Sequence, residues 1–253
     1  SAGLATVQTG VGTVEGSPLT HVELSTDHPA LGLLCAGKAG WELSVDDFEG
    51  LGSGPARALV AEEDIFGRVG YREDADFAVL AVETDQLPDE AVARAVAERA
   101  GVPESAVFLP AYGTASVTGS VVAASRAAEL ATLRLTESGY DPASVLSATG
   151  RAPVAPVADG EEAAMARTTD ALVYGGTVHL HLEDPVAEPK AVASTAGEEY
   201  DQPCTAVFEG IDWALADLPV DFFGPAQVTL DVLGGETHVV GETRPDLLAE
   251  SFF

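Results

Sequence analysis

The densest group of residues that could carry chemistry lies between Arg151 and Leu180, in the segment RAPVAPVADGEEAAMARTTDALVYGGTVHL. Arg167 and Asp170 are three residues apart in this segment. On a helical turn, that spacing places two side chains on one face. One interpretation is a solvated ion pair near the end of an element. The other is a carboxylate oriented by a guanidinium at the mouth of a cleft, and the residues alone leave both open.

A glycine-rich stretch, Gly50–Arg57 (GLGSGPAR), invites a nucleotide-binding interpretation. It lacks the lysine and hydroxyl of a phosphate-binding P-loop and the G-x-G-x-x-G spacing of a dinucleotide site. We therefore disfavour a generic nucleotide-binding protein and predict an ordinary strand-to-helix turn. The backbone amides of this turn, together with Arg57, could still hold an anion at the helix start.

Two histidines, His179 and His181, are two positions apart and so share one face of a predicted strand. Such a pair could hold zinc, but no third ligand is evident at a supportive spacing. We predict that both rings lie on the solvent-facing side of the strand and that the protein has no metal site. A Ser-His-Asp triad is not supported either, because the sequence has no G-x-S-x-G elbow.

Charge is the strongest compositional signal in the chain. Its 41 acidic and 12 basic residues give a formal net charge of −29, while the hydrophobic content, 46%, is ordinary. Such self-repulsion opposes the compact state in dilute buffer. At about 1 M salt the Debye length is roughly 3 Å, and the repulsion largely disappears. The composition therefore predicts adaptation to a cytoplasm of molar salt, and the absence of a basic stripe excludes nucleic acid as a partner.

The remaining composition bears on the compartment. The two cysteines, Cys35 and Cys204, cannot form a disulfide framework, which fits a reducing cytoplasm. No apolar run approaches the roughly 20 residues that span a bilayer. Residues 1–10 also lack the charged head and apolar centre of a signal peptide. We predict a cytoplasmic protein with no membrane partner.

The elements that must position these residues alternate between strand and helix character. The pattern predicts strands over Thr20–Ser25, Trp41–Val45, Asp76–Val82, Ala106–Leu109 and Ala171–Leu182, and a hairpin around Gly234–Gly235. It predicts helices after Asp27, over Ala56–Val60, Pro88–Gly101 and Val117–Gly139, and a surface excursion over Glu183–Pro203. This alternation predicts an α/β fold. We divide it into an N-terminal domain, residues 1–145, and a C-terminal domain, residues 146–253.

Several segments resemble the methenyltetrahydromethanopterin cyclohydrolase family. Pro153–Leu180 is similar to its signature region, which reads APVA, an acidic stretch, GRTND and LYGGTV, with Ala166 and Thr169 here in place of the glycine and asparagine. Further matches follow in order along the chain: STDHPA (Ser25–Ala30), AGKAGW (Ala36–Trp41), GSGPARAL (Gly52–Leu59), GYREDADFAVL (Gly70–Leu80), GTASVTGSV (Gly113–Val121) and GETRPDLLAESF (Gly241–Phe252). Because these matches cover essentially the whole chain and are unlike common turn motifs, the resemblance is specific.

The resemblance implies a cyclohydrolase-type fold in which two α/β domains enclose a deep cleft, assembled as a homotrimer without metal or redox cofactor. It also implies the reversible hydrolysis of a methenyl-tetrahydropterin to its formyl form, with an arginine and a carboxylate at the reaction centre. By the RxxD/E pattern we assign these roles to Arg167 and Asp170. Glu161 and Glu162 are the alternative carboxylates.

In this assignment Asp170 is the general base that accepts a proton from water, and Arg167 fixes the oxygen of the tetrahedral intermediate. The same similarity assigns five further residues to the wall of the pterin-binding cleft. They are Ser53, Gly54, Arg57, Thr114 and Ser116.

Two other readings of the resemblance remain open: the same reaction on methenyl-tetrahydrofolate, and a pterin-binding protein without activity. Both Arg167 and Asp170 are present, which argues against the second. Family members look longer at the N-terminus by a few dozen residues, since SAGLATV at Ser1 matches the family interior. We therefore expect either a fragment or a shorter form.

Overall fold

The computed structural model describes residues 3–197, 200–213 and 222–253. The strands in these residues are β1 (Thr6–Val14), β2 (Ser17–Thr26), β3 (Ala39–Val45), β4 (Phe48–Ser53), β5 (Ala78–Val79), β6 (Ala81–Glu83), β7 (Val107–Phe108), β8 (Ala111–Tyr112), β9 (Val145–Pro153), β10 (Thr177–Leu182), β11 (Gln227–Val232) and β12 (Thr237–Gly241). The helices are α1 (Ala56–Val60), α2 (Asp64–Val69), α3 (Glu90–Ala100), α4 (Val117–Ala124), α5 (Ala127–Glu137), α6 (Glu161–Val173), α7 (Cys204–Gly210) and α8 (Pro245–Phe252). A π-helix spans Ala30–Gly37. This mixture of helices and sheets confirms the predicted α/β class.

The larger sheet has six strands in the order β1-β2-β9-β10-β11-β12. Only its β10–β11 pair is parallel among these neighbours. In β10, Val178, Leu180 and Leu182 face a core that also takes in Ala128 and Leu135 of α5. Burying each such aliphatic side chain stabilises the fold by about 1.5–3 kcal/mol. The alternate residues of β10 face the opposite side of the sheet.

The smaller sheet has four strands in the order β3-β4-β6-β8. Its core contains Trp41 and Leu80, and α3 contributes Val92 and Val96 to it. The strand pair β5–β7 lies beside this core. Helix α3 lies within the predicted range Pro88–Gly101. It begins after Asp89, whose side chain accepts hydrogen bonds from two backbone N–H groups of the first turn, and Gly101 ends it in a left-handed conformation.

The larger sheet crosses the division that we predicted at residue 145. Strand β2 pairs with β9, with His21 opposite Pro153 and Thr26 opposite Ala148. The first hairpin of the chain therefore belongs to the same sheet as β9–β12, while the smaller sheet is built from residues 39–112.

Two predicted elements differ in the structure. Residues 171–173 continue α6 rather than starting a strand, and the strand begins only at Thr177. The apolar run ALV fits a buried strand and a buried helix equally well, because such a short run does not distinguish the two by periodicity. The predicted helix over residues 117–139 is two helices, broken at Ser125 and Arg126.

Three smaller predictions can also be compared. Residues 50–53 belong to strand β4, so the predicted glycine-rich turn is mostly strand. Strands β11 and β12 form the predicted antiparallel hairpin, although its loop is longer than the pair Gly234–Gly235. The predicted surface excursion, of which residues 198–199 lie outside the described part, buries residues 192–194 instead.

No helix within the described ranges has both the length and the apolarity to cross a bilayer.

Candidate active site

Two cavities lie where the two sheets approach each other. Cavity A, of about 610 Å³, has Leu24 of β2 on one side and Ser53 of β4 and Tyr112 of β8 on the other. Cavity B, of about 740 Å³, lies between β4 and the loop after β6 on one side and α6 on the other. Val122 and Arg126 line both cavities. The break between α4 and α5 is therefore the wall that the two cavities share.

Arg126 and Glu129 form an ion pair at this shared wall. The Arg126 Nη2 atom donates to Glu129 Oε1 at 2.6 Å. Arg126 lies at the start of α5, where α4 has just ended. Its side chain therefore projects from the junction of the two helices and not from the side of a regular helix. Glu129 is only 3% exposed, although it lines cavity A. The Glu129 carboxylate is the main cause of the raised pKa of Arg126, so the guanidinium stays charged.

A second polar group adjoins the ion pair. The Thr114 hydroxyl donates to Glu83 Oε1 at 2.7 Å, and both residues line cavity B. Tyr112 lines cavity A. Burial, followed by the charge of Glu83, raises the pKa of Tyr112 to about 12. Its phenol therefore remains protonated and can donate a hydrogen bond into the cavity.

Ser53 and Gly54 lie in the wall of cavity A, together with Arg126 and Glu129. Gly54 has a φ of 142°, and a Cβ there would stand 2.7 Å from the carbonyl oxygen of Val79. The close approach of strand β4 to Val79 thus requires glycine at this position. The structure brings these two predicted residues to a cavity, and their contact with substrate stays a prediction.

Arg57 lies behind the cavity and not in its wall. Its Nη1 donates to the carbonyl oxygens of Leu34, Cys35 and Lys38, and its Nε and Nη2 donate to Glu63 Oε1. The residue is 2% exposed. The guanidinium is engaged by protein groups and holds the end of the π-helix that forms one side of cavity A, and a contact of Arg57 with substrate stays a prediction.

Thr114 and Ser116, the remaining predicted cleft residues, differ in their surroundings. Thr114 lines cavity B, and its contact with substrate stays a prediction. The Ser116 hydroxyl accepts a hydrogen bond from the Gly119 N–H at 2.9 Å and donates to the Gly113 carbonyl at 2.6 Å. Ser116 is thus the N-cap of α4, which explains its place in the motif by helix capping.

Arg167 and Asp170 are not brought together at a cavity. Arg167 Nη1 contacts the Val157 carbonyl oxygen at 3.4 Å. Asp170 is fully buried, and its Oδ1 accepts a hydrogen bond from the Cys204 N–H at 2.9 Å. Burial raises the pKa of Asp170, against hydrogen bonds from Cys204 and Ser251 that lower it. The structure therefore places this carboxylate in the core and not in a cavity wall, and its catalytic role stays a prediction.

Helix α6 nevertheless reaches a cavity through a neighbouring face. Met165, Thr168 and Thr169 line cavity B, as does Glu161 in the first turn. Both alternative carboxylates are exposed, and of the two only Glu161 is among the residues that line cavity B. The signature segment contributes to the cavities, but with residues other than its arginine and aspartate.

The sequence interpretation missed Arg126 and Glu129, because it placed both residues within one continuous helix over residues 117–139. A signal was present. The run SRAAELATL carries two opposite charges three residues apart among small apolar residues, and Ala127, Ala128 and Ala131 are fully buried. Charged residues inside a buried helical run are rare unless paired.

His179 and His181, read from the sequence as solvent-facing, are exposed as predicted. The structure adds Asp231 of the neighbouring strand as a third potential ligand. These residues line neither cavity.

Comparison with known proteins relates the chain to one family along nearly its whole length. The sequence profile of the Cyclohydrolase (MCH) family matches residues 1–252. A methenyltetrahydromethanopterin cyclohydrolase of Halobacterium salinarum is 54% identical over 252 residues, which cover 100% of this chain and 81% of the relative. Enzymes of the same name from Methanothermobacter marburgensis and Methanocaldococcus jannaschii are 37% and 35% identical, over 92% and 94% of this chain and 76% of each relative.

Proposed function

Because the chain belongs to the methenyltetrahydromethanopterin cyclohydrolase family, we infer that it interconverts methenyl-tetrahydromethanopterin and the formyl derivative by addition of water. The Halobacterium relative also supports the interpretation of the −29 charge as an adaptation to salt. The chemistry then requires a protein group that accepts a proton from water next to the reacting carbon.

The methenyl bridge of the substrate is an amidinium-like cation, so its carbon is already electrophilic. The protein has to hold one water against this carbon and accept one proton, a task worth roughly 10²–10⁴-fold in rate. It also has to stabilise the oxygen of the tetrahedral intermediate as it collapses to the formyl group. A fixed carboxylate beside a fixed guanidinium supplies both functions.

We propose Glu129 as the general base and Arg126 as the group that orients it. The observation that carries this proposal is their 2.6 Å ion pair at the wall shared by the two cavities. Because the guanidinium binds Oε1, Oε2 is the oxygen that can accept the proton of a water in cavity A. A buried carboxylate also attracts the cationic substrate, since little water screens its charge there.

The Arg167–Asp170 assignment remains the alternative that the family motif favours. For Asp170 to act as the base, the contact between α6 and Cys204 would have to open, because the carboxylate is enclosed in the hydrophobic cluster of Tyr174 and Cys204. The Glu129 assignment needs no such rearrangement.

We further propose that cavities A and B are two parts of the deep cleft expected of the family. One wall belongs to the larger sheet and α6, and the other to the smaller sheet. In this arrangement the ring that carries the methenyl group occupies cavity A against Glu129 and Tyr112. The hydroxyl of Ser53 and the backbone at Gly54 contact it, and the remainder of the carrier extends past Thr114 into cavity B.

The decisive experiment compares Glu129→Gln with Asp170→Asn, two substitutions that each replace one carboxylate by its amide. Turnover is followed by the decay of methenyl absorbance in molar KCl. We expect Glu129→Gln to lose roughly 10²–10⁴-fold in kcat while still binding substrate. Asp170→Asn should keep most of the kcat of the unaltered chain. The reverse result assigns the base to Asp170 and rejects our proposal.

The same assay with methenyl-tetrahydrofolate tests the carrier, and we expect much slower turnover than with the methanopterin substrate. The homotrimer and the cytoplasmic location remain predictions from the resemblance and the composition. Sedimentation equilibrium in molar KCl measures the first directly.

A further inference from the structure

A group of potential metal ligands lies on the face of the larger sheet opposite α5. His179 and His181 project from β10 on the side away from the buried Val178 and Leu180. Asp231 lies on the adjacent strand β11, directly opposite His181 in the parallel register. The side chains of the three residues are 45%, 49% and 37% exposed.

The ligand atoms of these residues converge. Asp231 Oδ2 is 3.6 Å from His181 Nδ1 and 3.9 Å from His179 Nε2, and all three ligand atoms lie within 4.8 Å of one another. Ligand atoms around a tetrahedral zinc ion, at bonds of about 2.0–2.1 Å, are roughly 3.3 Å apart. Small rotations of exposed side chains bring the observed distances to that value.

A neighbouring hydroxyl fixes the carboxylate. Thr237 of β12 lies opposite Asp231 and donates a hydrogen bond to its Oδ1 at 2.7 Å. This bond turns Oδ2 toward the imidazoles. Hydrogen bonds of this kind, which orient a ligand from behind, are typical of metal sites.

The chemistry of the three side chains suits a metal ion. The two imidazole rings lie 4.4 Å apart between centroids, close enough for one divalent cation to contact both rings and the carboxylate. Imidazole nitrogen and carboxylate oxygen are also ligands that zinc prefers.

We propose that His179 Nε2, His181 Nδ1 and Asp231 Oδ2 bind a divalent transition-metal ion of the zinc type, with water as the fourth ligand. The ion links β10 to β11 on the outer face of the sheet. The core of the sheet separates it from the cavities, so it stabilises the fold and takes no part in the hydrolysis.

The test is a titration of the metal-free full chain with ZnCl₂ alone, in molar KCl, against a chromophoric zinc indicator. We expect one equivalent to bind, and His179→Gln and Asp231→Asn each to weaken binding by more than tenfold. Thr237→Val, which removes only the orienting hydroxyl, should weaken it by about tenfold.

The matched control is His238→Gln, which removes a partly exposed histidine on β12 that is 3.9 Å from the carboxylate of Glu236. It should bind zinc as the unaltered chain does. If surface carboxylates hold the zinc loosely, every variant will bind it as the unaltered chain does, and that outcome overturns the proposal.

A second readout is independent of the indicator. Zinc should raise the thermal midpoint of the unaltered chain and of His238→Gln, but not that of His179→Gln, because a ligand that binds only the folded state stabilises it. Equal shifts in all three proteins would also contradict the site.

Discussion

The Arg126 guanidinium and the Glu129 carboxylate form a 2.6 Å ion pair across the first turn of α5, in the wall between two cavities. A buried ion pair is weak evidence for stability, because the desolvation of both charges offsets their attraction. Its position is therefore better explained by function. The break between α4 and α5 is what directs the arginine to both cavities.

Arg57 should be a structural residue. Arg57→Met leaves three carbonyl oxygens and Glu63 without their buried partner, so we expect unfolding free energy to fall by about 3 kcal/mol or more. Urea unfolding in molar KCl measures this change. Arg94→Met, which breaks an exposed ion pair with Glu104, should cost about 1 kcal/mol or less. Equal losses for the two variants would show that Arg57 does not hold the π-helix.

Tyr112 should contribute a neutral hydrogen-bond donor to cavity A. Tyr112→Phe should lower kcat/KM by about three- to tenfold, the value of one such hydrogen bond. Because the pKa of Tyr112 is raised to about 12, the ratio of the two proteins should stay constant from pH 6 to about pH 10. The Tyr140 hydroxyl donates to the Asp184 carbonyl oxygen, away from the cavities. Tyr140→Phe is therefore the control and should keep full activity. A ratio that falls toward one below pH 10 would contradict a protonated donor.

Asp170 should make stability depend on pH. Its folded pKa is raised above the ordinary value of 3.8, so the protonated form is favoured in the fold. The stability that it contributes is complete below pH 3.8 and is lost as pH rises through the folded pKa. The asparagine of Asp170→Asn does not titrate. As pH rises from 3.8 through the folded pKa of Asp170, the unfolding free energy of the variant should therefore increase relative to that of the unaltered chain. Urea unfolding at a series of pH values tests this, and parallel curves would show that burial does not govern this carboxyl.

Salt should stabilise the folded chain by screening its charge of −29. Between about 0.1 M and 1 M salt the Debye length falls from about 10 Å to 3 Å, so the thermal midpoint should rise with KCl. Sucrose at the same osmolality does not screen charge and serves as the control. If sucrose raises the midpoint as much as KCl does, self-repulsion is not the cause.

Some elements were predictable because their signals are local. Helix α3 has its capping aspartate and its terminating glycine within the segment itself, and the β11–β12 hairpin has glycines between two alternating runs. The sheet that joins β2 to β9 was not predictable in this way. Its strands are more than a hundred residues apart, and no local pattern specifies which strand pairs with which.

The sequence by itself determined the family, the acidic surface and most of the helices and strands, because these depend on composition, on local capping and on motifs that keep their order. Only the tertiary structure decided which charged residues meet at a cavity. Arg126–Glu129 and Arg167–Asp170 have the same spacing, and spacing fixes only their relation to each other. Whether a pair faces a cavity or a sealed core depends on what packs against its helix, which is set by residues far away in the chain.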